Sequence, residues 1–354
     1  MTDLSFDTVM LSHTFRSLRA IHSLRVLLIP PVLAACHTAA VSPSRQAPDT
    51  AAIRQDIVYL ASDALEGRAT GTAGNDSAAA YISRRLEQLG LRPELQRFTA
   101  RSVAAAHAGL AAELPTQNVV AILRGSDAAL RDEYIVIGAH HDHLGRTAFG
   151  ALDPNASDAI RNGADDNASG TAAVIELARI LSRSPPKRSI IFATFSAEEL
   201  GLLGSQHLVD NFPVPLSRVV AMLNFDMVGR LRDEKLIVYG TGTATELPAI
   251  LDSVNSAHST AGAPAPLDVR GMSDGFGPSD HSSFYAKDIP VLHFFTDIHE
   301  DYHRATDDSE KVNIAGTARV IAYAERIVRR IADGPERLTF TRTVAPRAAA
   351  SSRQ

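Results

Sequence analysis

A single cysteine in 354 residues excludes a disulfide framework, because no second thiol is there to pair with it. No run of about 18 apolar residues occurs, so no transmembrane helix is expected. Charge of one sign is missing too: 35 basic side chains stand against 40 acidic ones, a formal −5. Such a balance offers no basic surface to nucleic acid, and none is expected as a partner. There is no internal repeat and no Pro/Ser-rich linker after residue 50. A Gly-rich loop around Gly67, Gly71 and Gly74 lacks the Gly-Lys-Ser/Thr end of a phosphate-binding loop. What is present, at 45% hydrophobic content, suffices for a sizeable core.

The lone cysteine is informative by position. Val26 to Cys36 is a short apolar stretch preceded by Arg16, Arg19 and Arg25, the layout of an export signal. Its end, Leu33-Ala34-Ala35-Cys36, resembles a bacterial lipobox, in which the cysteine carries lipid. Two acyl chains anchor firmly where one is marginal. Residues 1–36 are therefore expected as a signal peptide with lipobox, 37–50 as a flexible tether, 51–335 as one folded domain and 336–354 as a loose tail. The expected location is the bacterial cell envelope, with the membrane reached only through the lipid.

Apolar runs over 119–123, 134–137, 189–195, 219–225, 235–239 and 291–295 predict strands. Helical spacing predicts helices over 52–61, 77–89, 168–182, 202–211, 245–257 and 312–331. The two types alternate, and several strands are apolar on both faces. That is the pattern of an α/β fold with a mostly parallel, mixed central sheet and helices on both faces.

Five clusters of acidic or imidazole side chains follow apolar strands or sit in tight loops. They are His140 with Asp142; Asp165-Asp166-Asn167; Glu198-Glu199; Asp226; and Asp280-His281. In an extended segment His140 and Asp142 share a face and His141 points the other way. In open α/β sheets, sites form at the carboxyl ends of strands. Two divalent ions about 3.5–4 Å apart need a bridging ligand. A carboxylate has two oxygens and can bridge; an imidazole cannot. Nitrogen and oxygen donors suit zinc, and a carboxylate that binds neither ion is free to take a proton. Adjacent Glu198 and Glu199 can divide those duties. Taken singly, each cluster is an ordinary turn, cap or surface pair; five at strand ends of one α/β pattern are not.

In order, Tyr59-Leu-Ala-Ser-Asp63-Ala-Leu-Glu-Gly-Arg68, Gly-Ala-His140-His-Asp142-His-Leu-Gly, Gly-Ala-Asp165-Asp166-Asn-Ala-Ser-Gly, Ser-Ala-Glu198-Glu199-Leu-Gly, Asn-Phe-Asp226-Met, Pro-Ser-Asp280-His281-Ser-Ser-Phe and Glu300-Asp-Tyr302-His303 resemble the dizinc aminopeptidase family. Its members are relatives of secreted bacterial leucyl aminopeptidases and of glutamate carboxypeptidase, and the likeness runs from about Ile57 to Ile331. The resemblance implies the phosphorylase/hydrolase-like fold of zinc exopeptidases, a peptide substrate and two Zn2+ per chain. It implies His140 and Asp226 on one zinc, Glu199 and His281 on the other, Asp166 bridging, Asp142 orienting His140, and Glu198 as general base. Tyr302 or His303 would steady the oxyanion. The family often has a cis peptide after the bridging carboxylate, here Asp166–Asn167. His141 stands where many relatives have an aromatic residue, Ala305 where a proline is common, and residues 101–133 are too short for the protease-associated insert. Three alternatives stay open. One is a carboxypeptidase, which would need convergent arginines from among Arg146, Arg161, Arg230, Arg232 and Arg270. The others are a one-zinc transferase like glutaminyl cyclase, and an inactive binding protein on the same scaffold.

Overall fold

The computed structural model describes residues 47–156, 159–256 and 266–343. The signal-like stretch with Cys36, nearly all of the expected tether and the tail beyond Thr343 lie outside the described residues.

Among the described residues eight strands form one sheet: β1 (Glu94–Ala100), β2 (Leu114–Leu123), β3 (Tyr134–His140), β4 (Ser189–Phe195), β5 (Val219–Phe225), β6 (Lys235–Tyr239), β7 (Asp268–Met272) and β8 (Val291–Phe295). Their order is β1-β2-β4-β3-β5-β8-β6-β7. The middle four, β4-β3-β5-β8, run parallel, while β2 and β6 flank them antiparallel. Strands β3, β4 and β5 are buried along their whole length, as expected of parallel strands covered on both sides.

Among the described residues the α-helices are α1 (Thr50–Leu60), α2 (Ala73–Gln88), α3 (Val103–His107), α4 (Gly170–Arg183), α5 (Leu203–Asp210), α6 (Leu247–Ser256), α7 (His281–Tyr285) and α8 (Ile314–Ala332). Alternation along β3 sorts its side chains between two cores. Ile135, Ile137 and Ala139 pack with Ile57, Ile82, Leu177, Leu251 and Ile327 from α1, α2, α4, α6 and α8. Tyr134 and Val136 pack with Leu208, Val209 and Phe284 from α5 and α7. Among the described residues no helix is long and apolar enough to cross a membrane.

Two strands, β1 and β7, were not expected. Both are sheet edges, with most of their residues exposed or half-buried, so neither carries the apolar run that marks a central strand. The expected loose tail from residue 336 also needs correction. Arg337 donates to the carbonyls of Ser217 and Val219, Phe340 bridges to Ala244, and Tyr285 Oη lies 2.8 Å from Thr343 Oγ1. Polar residues over 337–343 find backbone partners there, which composition alone does not reveal.

The Gly-rich loop has a structural use. Arg68 is fully buried, and no carboxylate forms an ion pair with it among the described residues. Nε donates to His141 O at 2.9 Å and Nη2 to Gly163 O at 3.0 Å. Nη1 reaches the carbonyls of Leu60 and Asn162. One guanidinium thus ties α1 to the two turns that follow β3. Burial pushes its pKa down to about 10, although Asp142 and Asp166 favour the charged form. Arg68→Met would leave four buried carbonyls without a donor. The expected loss of stability is at least about 3 kcal/mol, read as a shifted urea midpoint; an unshifted midpoint would show that the clamp is dispensable.

Candidate metal centre

The carboxyl ends of the four parallel strands meet at one edge of the sheet. His140 ends β3, Glu198 and Glu199 follow β4, Asp226 follows β5, and the loop after β8 carries Tyr302 and His303. Asp166 comes from the turn between β3 and α4. That turn starts at Gly163 with φ +56°, where an added Cβ would collide with the Asp166 carbonyl and the His143 ring. Asp307 Oδ2 accepts the backbone N–H of Asp165 and of Asp166, at 2.9 and 3.1 Å. Asn167 donates to Phe225 O and accepts from Gly170 N and Met227 N, which stitches this turn to the one bearing Asp226. The Asp166–Asn167 peptide is cis.

The two oxygens of Asp166 face different imidazoles. Oδ1 lies 3.3 Å from His140 Nε2 and Oδ2 lies 3.2 Å from His303 Nε2. Each imidazole meets a second carboxylate: Asp226 Oδ1 is 3.4 Å from His140 Nε2, and Glu199 Oε2 is 3.3 Å from His303 Nε2. On the far side of each ring, Nδ1 rests on a backbone carbonyl, that of Asp142 for His140 (3.2 Å) and of Gly150 for His303 (2.8 Å). Carbonyls only accept, so both rings carry their proton on Nδ1 when neutral and turn the Nε2 lone pair inward. That is how metal-binding histidines are held. Donor or acceptor atoms of His140, Asp166 and Asp226 lie within 4.8 Å of one another, as do those of His143, Asp166 and Glu199 and those of His140, Glu198 and Glu199. This donor chemistry, imidazole nitrogen and carboxylate oxygen, fits zinc.

Electrostatics bind the cluster together. Burial disfavours the charged form of His140, but Glu198 and Asp226 outweigh it and hold its pKa well above the usual value. Burial likewise opposes a charged His303, yet Asp166 and Glu199 lift it to about 11. Asp166 is held well below the carboxylate range: His140, His143 and His303 overcome its burial. Glu199 is drawn down to about 2 by His143 and His303 against burial and Asp166. Its neighbour Glu198 goes the other way, raised by burial and then by Glu199, Asp280 and Asp226 despite His140.

Two expectations are corrected. His281 was to join Glu199; instead it opens α7, its ring stacks on His293 of β8 at 4.5 Å, and neither ring nitrogen has a partner. His303 occupies the position beside Glu199 and Asp166. Asp142 was to orient His140 through its carboxylate, but that group sits 3.8 Å away. It accepts instead from Thr70 Oγ1 at 3.0 Å and from the Glu198 N–H at 3.2 Å, and the Asp142 carbonyl does the orienting. Sequence reasoning also missed Ser279, which donates to Asp226 Oδ2 at 2.7 Å, and His143, 2.7 Å from Glu199 Oε1. His141 is buried, and neither of its ring nitrogens has a side-chain hydrogen-bond partner. Tyr302 stacks on His303 at 3.9 Å and lines the cleft. Burial, then Asp166 and Glu199, push its phenol far above the usual range, so it stays a neutral donor.

The profile of peptidase family M28 matches residues 118–328. The chain belongs to peptidase family M28. Leupeptin-inactivating enzyme 1 of Streptomyces exfoliatus is 28% identical over 298 residues, 82% of this chain. The alignment spans 59% of that relative's length. An aminopeptidase from Aneurinibacillus sp. strain AM-1 shares the fold, with TM-score 0.63 and 19% identity over 84% of this chain and 97% of that one. Porphyromonas gingivalis glutaminyl cyclase shares it as well, with TM-score 0.66 and 18% identity over 80% and 98% of the two chains. This M28 chain therefore has the zinc-exopeptidase fold expected of its motifs.

Two measurements check the site. Zinc counting should find one ion fewer in His303→Ala than in the wild type and no change in His281→Phe; the reverse would restore His281 as the ligand. Burial pushes His281 down to about 3, so between there and its ordinary 6.5 the unfolded chain takes up a proton that the native chain refuses. Stability therefore falls as pH drops through that window. His281→Phe keeps the stack without the titrating ring and should reduce the loss between pH 7 and pH 5 by about 2 kcal/mol. An identical pH profile in urea would contradict this.

Proposed function

We infer that the chain is a zinc-dependent aminopeptidase. His140 and Asp226 would hold one zinc, His303 and Glu199 a second, and Asp166 would bridge them. The observation that carries this is the single carboxylate whose two oxygens each face the Nε2 of a different imidazole. Bound zinc supplies a Lewis acid that polarises the scissile carbonyl and makes water acidic near neutral pH. Glu198 lines the cleft and its raised pKa suits a proton carrier. It takes the proton of the attacking water as the new C–O bond forms, and gives it to the amine nitrogen as the C–N bond breaks. Asp142, bonded to the Glu198 N–H, keeps that base in place. Tyr302 supports the oxyanion as a neutral O–H donor.

Cleft chemistry favours an amino terminus. Its polar wall is carboxylates and imidazoles, and no arginine or lysine lines it. Arg161 pairs with Asp153, Arg230 with Asp301 and Asp307, and Arg270 with Asp268, while Arg146 reaches Glu66 and Arg232 the Ile298 carbonyl, so among the described residues none of the five candidate arginines lines the cleft. Met227, Tyr239, Phe295 and Ile298 add apolar lining to a cavity of about 180 Å³, which suits one uncharged, apolar terminal side chain. The second set of donors, His303 and Glu199 around the shared Asp166, supports two ions over the one of a one-zinc transferase. The same ligand sets, intact, argue against a binding protein that has lost catalysis. The signal-like start of the chain supports export, and its Cys36 supports lipid anchoring.

Aminoacyl anilides with a free amine should be cleaved and N-acetylated ones spared; the opposite preference would remove the aminopeptidase assignment. Glu198→Gln should keep its zinc and lose kcat by about 10²–10⁴-fold. Near-normal turnover in that variant would take Glu198 out of the mechanism.

A further inference from the structure

We propose that His143 is a positioning residue, which donates its Nδ1 proton to Glu199 Oε1 and so reserves Oε2 of that carboxylate for the second zinc. The proposal rests on the two-zinc assignment above and deepens it.

Three imidazoles approach the carboxylates, but not in the same way. His140 and His303 each turn Nε2 inward and rest Nδ1 on a backbone carbonyl. His143 does the reverse. Its Nδ1 lies 2.7 Å from Glu199 Oε1 and 3.9 Å from Asp166 Oδ2. Its Nε2 is buried without a partner. At 2.7 Å one atom of the pair carries the hydrogen, and a carboxylate whose other oxygen is to hold a cation carries none, so the hydrogen is on Nδ1. That nitrogen then has no lone pair for a cation, and His143 orients a ligand without being one. The ring cannot swing away easily. It is buried, an added Cβ at Gly163 would strike it, and its edge meets the His303 ring at 5.7 Å. The two oxygens of Glu199 are thereby divided, Oε1 for His143 and Oε2 beside His303. A carboxylate left free on both oxygens could rotate or chelate one ion with both; a hydrogen bond on one removes that freedom. Groups that orient metal ligands in this way are worth about 10–100-fold in metal affinity.

The test is a zinc titration of the apo full-length chain against a chromophoric chelator, on the wild type, His143→Ala and His143→Asn. Asparagine places an N–H donor near the Nδ1 position but lacks the imidazole lone pair. The wild type should take up two zinc ions. His143→Ala should still take up two at saturation, with one of the two steps about 10–100-fold weaker than in the wild type and the other unchanged. His143→Asn should recover to within a few-fold of the wild type. Thermal unfolding of the three apo chains checks folding, and if His143→Ala does not fold, the comparison of His143→Asn with His143→Leu decides. A wild type with two zinc ions and an alanine or leucine variant with both affinities unchanged overturns the proposal alone. So does an asparagine variant as weak as alanine. A wild type that takes up one zinc overturns the two-zinc assignment and the proposal together.

Discussion

One carboxylate shared between two imidazoles sets the terms for the rest of the molecule. Asp166 can serve both His140 and His303 only if its backbone is fixed to within a fraction of an ångström. The chain spends several buried polar groups on that: the Asp307 carboxylate under two successive N–H groups, the Asn167 amide bonded across to the next strand's loop, and a glycine where a side chain would collide. None of these touches a substrate. They convert a turn, normally the most variable part of an α/β unit, into a rigid mount.

The sheet supplies the remaining precision. Four parallel neighbours deliver their carboxyl ends to one line, and each contributes a side chain within a residue or two of the strand's last hydrogen bond, or from the loop that follows. This explains which parts were legible in the sequence. The central strands announce themselves as apolar runs, because both faces are covered, and the ligand clusters stand out as polar endings to those runs. The edge strands β1 and β7 had no such signal. The Arg68 clamp was invisible for another reason: its partners are four carbonyls, and backbone groups leave no trace in side-chain identity.

The misassigned histidine teaches the same lesson. His281 sits in a motif with a neighbouring carboxylate, which is what a ligand pair looks like on paper. Yet it precedes β8 in the chain and its ring packs against His293 inside that strand. His303 follows β8, so its loop emerges at the edge where the other ligands gather. Asking which histidine comes after a parallel strand points to the ring that lies beside Asp166 and Glu199; asking which has the richer local motif does not. The clustering of His140 with Asp142 was legible for a similar reason, but alternation along an extended segment fails once the strand ends. The turn after His140 sends the Asp142 carboxylate to Glu198 and brings His143 round to Glu199.

Glu198 and Glu199 show how one dipeptide comes to hold two chemistries. Intrinsic acidity is the same for both, and both face the same cleft. Glu199 is flanked by two imidazoles, one on each oxygen, which favour its charge more than burial and Asp166 oppose it. Glu198 has His140 on one side but three carboxylates, Glu199, Asp280 and Asp226, acting with burial against its charge. A carboxylate held in its ionised form suits a cation, and one whose proton is retained more strongly suits proton transfer. Pushing two neighbouring acids apart in this way needs no special residue, only an unequal distribution of imidazoles around them. Removing an imidazole from the Glu199 side therefore weakens the contrast from which both functions arise, even where the lost ring touches neither the substrate nor a metal.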